Sequence, residues 1–202
     1  AADFKTIFEW HSYRFYLAAK HVYEINDVNL FEFFDYCGPA YCALNAKLSG
    51  ISFQSADIAI RLHNSLEVMD ANEATTVHNL ARYRAFALEH SALTKSDYIL
   101  YPTKKYLEEA YKRYYEKWNA LEVHAPPPIV TWPNKRQSHE TKDIFLFYGR
   151  LFSWKGVDLF VDAAVSFLER TGSSETRFYI VGYDSNLPPA GNGVHPVTNG
   201  MA

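Results

Sequence analysis

Ile144-Phe145-Leu146-Phe147-Tyr148-Gly149-Arg150-Leu151, followed by Lys155-Gly156-Val157-Asp158-Leu159 and then by Phe178-Tyr179-Ile180-Val181-Gly182, is the stretch on which the fold turns. An unbroken apolar run that stops at a glycine reads as a buried strand. Val157, Val161, Ala164, Val165 and Leu168 follow at helical spacing, and Gly172 closes that helix. Phe178 to Val181 is a second short apolar run, also halted by a glycine. Strand, amphipathic helix and strand make a β-α-β unit. Apolar strands separated by such helices predict a parallel sheet covered on both faces. The tail after Asp184 is rich in Gly, Pro and Asn without any period, and reads as a loop or a frayed end.

Working back toward the start, the clearest punctuation is Pro126-Pro127-Pro128 with Pro133 beyond it. Proline fixes φ and removes a donor, so this segment is neither helix nor central strand. The text from about Asn119 to Lys142 is mixed polar and Pro-rich, as a linker is. The expected organisation is therefore a first α/β domain over 1–125, a linker over 126–142 and a second α/β domain over 143–202. Within the first domain, helices are predicted over about 8–25, 38–48 and 76–93, with strands over 30–34, 56–62 and 98–100. Pro102 ends the third strand, and Thr103 is placed to cap a helix running to about Trp118.

Composition narrows the function classes. The chain has 202 residues, 48% of them hydrophobic and 21% charged, which is the make-up of a globular protein. Its net charge of -3 lacks the basic field of a nucleic-acid binder. Two cysteines exclude a disulfide scaffold, and Cys37 and Cys42 lack metal-ligand spacing. The eight histidines form no His-x-x-x-His pair, so no metal site is proposed. No apolar run approaches the roughly 18 residues of a membrane span, and the chain opens with no secretory leader. With no Asn-x-Ser/Thr acceptor either, the expected location is cytoplasmic.

The chemistry concentrates in the turn between Gly149 and Gly156. Ligands of open α/β sheets bind at the carboxyl ends of strands. A helix N-terminus adds unpaired N–H groups and a partial positive charge, and glycines let a ligand approach the backbone. Arg150 and Lys155 add two cations on the same turn, so the place suits a phosphate or diphosphate. The plain alternative is a surface turn with two solvated cations.

The wording of this segment resembles the opening of the C-terminal domain of a family 4 (group 1) glycosyltransferase. Upstream, Asp35-Tyr36-Cys37-Gly38, Arg61-Leu62-His63, and Glu89 through Ser96-Asp97-Tyr98-Ile99-Leu100-Tyr101-Pro102-Thr103 follow the order found toward the end of that family's N-terminal domain. The resemblance runs from about Leu30 to Gly182. It implies a GT-B-like fold, in which two Rossmann-like domains join at a linker and move a sugar from a nucleotide-sugar donor to an acceptor with retained configuration. It implies that Arg150 and Lys155, framed by Gly149 and Gly156, hold the donor diphosphate, and that His63 is the catalytic-side histidine near the transferred sugar. Fixed cations there would stabilise the departing nucleoside diphosphate more as its charge grows. No cofactor and no metal is expected.

The family's acidic pair, two glutamates separated by seven residues in the C-terminal domain, has no counterpart after Gly182. Glu24 with Glu32 and Glu108 with Glu116 share that spacing but precede the linker. The chain therefore reads as an internal, inactive piece of such an enzyme, whose open sheet edges favour self-association. The competing readings are a non-catalytic nucleotide- or phosphate-binding module and a protein-interaction module. Tyr106, Tyr111, Tyr114, Tyr115 and Trp118, interleaved with Lys112, Arg113 and Lys117, offer a surface for stacking or for peripheral membrane contact toward a lipid-linked acceptor. Core packing with a solvated face accounts for them better. Asn64, Glu67 and Asp70 either line the site near His63 or form a polar loop.

Overall fold

A computed structural model describes residues 4–73, 76, 79–115, 118–128, 143–151, 155–182 and 194–196. The chain divides into two compact units, Ala1–Val130 and Thr131–Ala202. Among the described residues no helix is long and apolar enough to cross a membrane.

The first unit is mixed α/β around a parallel sheet of four strands, β1 (Leu30–Phe34), β2 (Asp57–Arg61), β3 (Tyr98–Tyr101) and β4 (Leu121–His124), hydrogen-bonded in that order. Helix α1 (Ile7–Ile25) precedes β1, α2 (Tyr41–Leu48) joins β1 to β2, and α3 (Leu66–Asn72) with α4 (Leu80–Lys95) joins β2 to β3. Local chemistry sets the helix starts. The Thr6 hydroxyl accepts the Glu9 N–H at 3.1 Å while the Glu9 carboxylate reaches back to the Lys5 N–H at 2.8 Å, a reciprocal cap. Ser65 caps α3 at the Val68 N–H, and Asn79 caps α4 at the Ala81 N–H.

Three expectations need correction here. Leu121–His124 pairs in parallel with β3 inside the polar text read as linker, because its ladder partner supplies what its weak apolar pattern does not. The helix capped by Thr103 does not run to Trp118: it begins as the short α5 (Lys104–Tyr106) and widens at once into a π-turn over Leu107–Tyr111. Among the described residues of this unit the sheet is not covered on both faces. Phe31 and Phe33 of β1 point to the helices, whereas Leu30 and Phe34 remain about half exposed. Strands in sequential order, joined by crossovers of one hand, carry their helices on one face. The core lies there, with Phe53, Ile58, Ile60, Leu93, Ile99 and Tyr111 all fully buried.

The second unit holds β5 (Ile144–Tyr148), α6 (Val157–Thr171) and β6 (Arg177–Val181), the β-α-β unit the sequence predicts, with β5 and β6 parallel. Phe145 stacks on Phe178, and Phe160 and Phe167 of α6 close over them, so the helix-facing side is aromatic. Two further expectations fail. The tail, read as a loop or a frayed end, contributes β7 (Val194–Pro196), antiparallel to β6, so the sheet has three strands among the described residues. And β5 is an edge strand, not a buried one: Ile144, Leu146 and Tyr148 point away from α6, Tyr148 at 82% exposure.

Candidate functional site

In a parallel sheet every strand ends at the same edge, and in the first unit that edge gathers an unusual set of buried polar groups. Asp35 stands immediately after β1 and is 1% exposed. Its carboxylate accepts the His63 N–H at 3.0 Å and the Asn64 N–H at 3.4 Å, both from the loop after β2. It also accepts the Tyr111 hydroxyl, which arrives from the π-turn after β3. One side chain thus ties the ends of three strands together. Tyr106 closes the same loop from above, its hydroxyl donating to the His63 carbonyl at 2.8 Å. His63 is therefore held through its backbone on both sides, with its ring exposed just past the end of β2.

A second buried acid lies behind the first. Glu89 of α4 is fully buried and accepts the Cys37 N–H at 2.7 Å, the Leu66 N–H at 2.6 Å, the Glu67 N–H at 3.2 Å and the Tyr115 hydroxyl at 3.3 Å. Burial dominates its titration and raises the carboxyl to about 7, against the three backbone hydrogen bonds that favour the ion. Asp35 is raised as well, again because burial outweighs its donors. Desolvation also lifts the Tyr111 and Tyr115 hydroxyls above their ordinary value, and Cys37 to about 12, which leaves that thiol inert. Cys37 does not sit on a helix as its neighbourhood reads. It occupies the β1–α2 turn at φ 60°, next to Gly38 at φ 62°. Such a conformation persists where its surroundings over-determine it, and the bond from the Cys37 amide to Glu89 does so.

The other residues near His63 prove to be ties within the protein. Asp70, nearly fully buried, receives a bidentate pair from Arg82 at 2.5 and 2.6 Å. Glu67 meets His90 Nε2 at 2.6 Å, and Asn64 accepts from Tyr106. The aromatic segment divides as core packing requires: Tyr111 and Tyr115 stack in the interior with ring centroids 5.7 Å apart, and Tyr114 stays outside.

In the second unit Gly149 and Arg150 follow β5 directly, and Lys155 and Gly156 lead into α6. The four residues singled out by sequence thus border one turn, with Arg150 and Lys155 both exposed; 152–154 lie outside the described residues. Gly156 is the N-cap of α6 at φ 77°, where no side chain caps the helix. The Gly149 N–H is already spent on the Val181 carbonyl at 3.0 Å, so this glycine offers a ligand close approach rather than a donor. Gly182 completes the turn: a Cβ there would collide with the Gly149 carbonyl oxygen and come within 3.0 Å of the Leu151 side chain. Gly182→Ala is accordingly expected to push the Gly149–Arg150 turn off the end of β6. Melting of the variant should occur at a lower temperature than wild type, which a thermal melt of the two proteins measures.

Spacing marks neither Asp35 nor Glu89 as a site residue, and it offers Tyr111 and Tyr115 only as part of an exposed stacking surface, whereas both are buried. One signal was present: Glu89 sits in the apolar series Ala85, Leu88, Ala92 and Leu93 of α4, where a charge needs buried partners. Among the described residues no group of three His, Cys, Asp or Glu side chains could hold a metal ion. Compared with protein-family models, with curated proteins and with solved structures, the chain matches none.

Proposed function

We propose that this chain is part of a GT-B-fold glycosyltransferase that moves a sugar from a nucleotide-diphosphate sugar to an acceptor. The observation that carries the reading is the placement of its residues. His63 in one α/β unit and the Gly149–Gly156 turn in the other each stand just past the carboxyl end of a parallel strand. In this reading Arg150 and Lys155 bind the donor diphosphate and stabilise it as it leaves, which needs no metal. His63 hydrogen-bonds the transferred sugar or orients the acceptor. The reaction would be cytoplasmic, with an acceptor that is a free or a lipid-linked sugar at the membrane surface.

The test is titration with UDP and GDP of the wild type, Arg150→Ala and Lys155→Ala. Each substitution is expected to cost about 1.5–3 kcal/mol, roughly 10- to 150-fold in Kd. Equal binding by all three proteins removes the reading. Sugar transfer by a longer chain that includes the acidic pair, compared with its His63→Ala variant, then separates an enzyme from a module that only binds nucleotide. The ring is exposed and the bonds of His63 among the described residues are made by its backbone, so this variant should keep wild-type stability within about 0.5 kcal/mol while losing transfer.

A further inference from the structure

The β1–α2 loop and the start of α3 are separate pieces of chain, and one buried side chain from a third element touches both. Glu89 Oε1 takes the short bonds, 2.7 Å from the Cys37 amide and 2.6 Å from the Leu66 amide. Its Oε2 takes the longer ones, 3.2 Å from the Glu67 amide and 3.3 Å from the Tyr115 hydroxyl. The two oxygens therefore have different work. Oε1 bridges two loops through backbone N–H groups that cannot rotate away. Oε2 faces a hydroxyl that can reverse its role, because the Tyr115 hydroxyl also lies 2.6 Å from Ser65 Oγ and can donate there while accepting from a protonated Oε2.

We propose that Glu89 is a positioning residue for the surface that carries His63: Oε1 fixes the β1–α2 loop against the start of α3 in either protonation state, while a proton taken up on Oε2 releases the Glu67 amide and loosens α3. The clamp stands on the geometry alone. It rests on the transferase reading only for the consequence that the presentation of His63 changes with pH.

The groups around Glu89 leave this proton on it. Asp35, beyond the end of β1, is a second buried acid and raises Glu89 by its charge. Tyr36 and Cys37 feel Glu89 from the loop, and burial holds both protonated. Tyr111 and Tyr115 are held protonated likewise. The Arg82 charge on the same helix is engaged bidentately by Asp70, so it is not available as a counter-ion for Glu89. Glu67 on α3 directs its carboxylate to His90, whose ring lies against Tyr115 at 4.4 Å between centroids.

The test is amide nuclear magnetic resonance of the Cys37, Leu66 and Glu67 N–H groups between pH 5 and 9, in wild type, Glu89→Gln and His90→Asn. The proposal expects the Glu67 amide to lose its hydrogen-bonded shift as pH falls, with a midpoint near neutrality in wild type and in His90→Asn, while the Cys37 and Leu66 amides move with the same midpoint as Oε1 turns from a carboxylate into a carbonyl oxygen but stay hydrogen-bonded throughout. In Glu89→Gln, whose carbonyl can replace Oε1, the Cys37 and Leu66 signals should stay bonded and the Glu67 midpoint should vanish. A Glu67 amide that does not titrate in wild type overturns the proposal, as does a midpoint that survives in Glu89→Gln or disappears in His90→Asn. Should Glu89→Gln fail to fold, the wild-type and His90→Asn profiles decide between these outcomes. Because the readout needs neither donor nor acceptor, loss of the transferase reading with the titration intact leaves the clamp standing.

Discussion

Gly38→Ala is expected to destabilise the first unit by about 3 kcal/mol, far more than the same change at Gly50. Both glycines have positive φ, 62° and 70°, so both substitutions meet the backbone penalty of a left-handed L-residue. Their surroundings differ completely. A Cβ on Gly38 would lie 2.5 Å from the Leu88 carbonyl carbon and 2.7 Å from Leu88 Cβ, whereas nothing stands within 4 Å of one on Gly50. The obstacle at Gly38 is the main chain of α4, which cannot swing aside as a side chain can. Moving α4 would also drag Glu89, one residue beyond Leu88, from the amides it holds. Gly50→Ala should therefore cost about 1 kcal/mol, the backbone term alone. Chemical denaturation of both variants measures the difference, and equal costs would show that the loop gives way without disturbing α4.

Stability should also respond to pH through Glu89, and the sign follows from its environment. The folded chain holds this carboxyl near 7, above the 4.5 of a free glutamate, so the native state binds the proton more tightly than the unfolded one. The contribution is complete below about pH 4.5 and is lost as pH rises through 7. Between pH 5 and 8 this amounts to roughly 2–3 kcal/mol, most of it from burial of the charge. Glu89→Gln removes that titration but leaves Asp35, which shifts in the same direction, in place. The unfolding free energy of the variant minus that of wild type should thus rise by this amount from pH 5 to 8. Parallel stability profiles for the two proteins would count against a titrating Glu89.

The strands were legible where apolar runs end at a strong stop. Ile144–Tyr148 before Gly149, and Tyr98–Tyr101 before Pro102, carry both signals. Leu121–His124 carries neither, and only the neighbouring ladder identifies it as a strand. Coverage of the sheets was misread for a related reason. An apolar run reports that a strand can be buried, but its place in the strand order decides whether it is. The turn from Gly149 to Gly156 was readable because its cations and glycines lie within eight residues. The cluster at the other edge was not, since Asp35, Ser65, Glu89 and Tyr111 are spread over 77 positions and meet only once three strands are paired. Asp35 and Glu89 entered the sequence argument only within quoted stretches, without a role.

The wide turn at Leu107–Tyr111 closes with the Lys112 amide on the Leu107 carbonyl, one residue later than an α-helix would close. That extra residue is absorbed in the width of the turn, because five residues there sweep about the angle that four sweep in an α-helix. Deleting one of Lys104, Lys105, Glu108 or Glu109 should let the segment rewind as an ordinary helix and leave the direction of everything downstream nearly unchanged. The phenol of Tyr111 should then keep its bond to Asp35, and Tyr115 its bond to Ser65. These four exposed positions should accept nearly any side chain, and the loss of one of them, better than the gain of one.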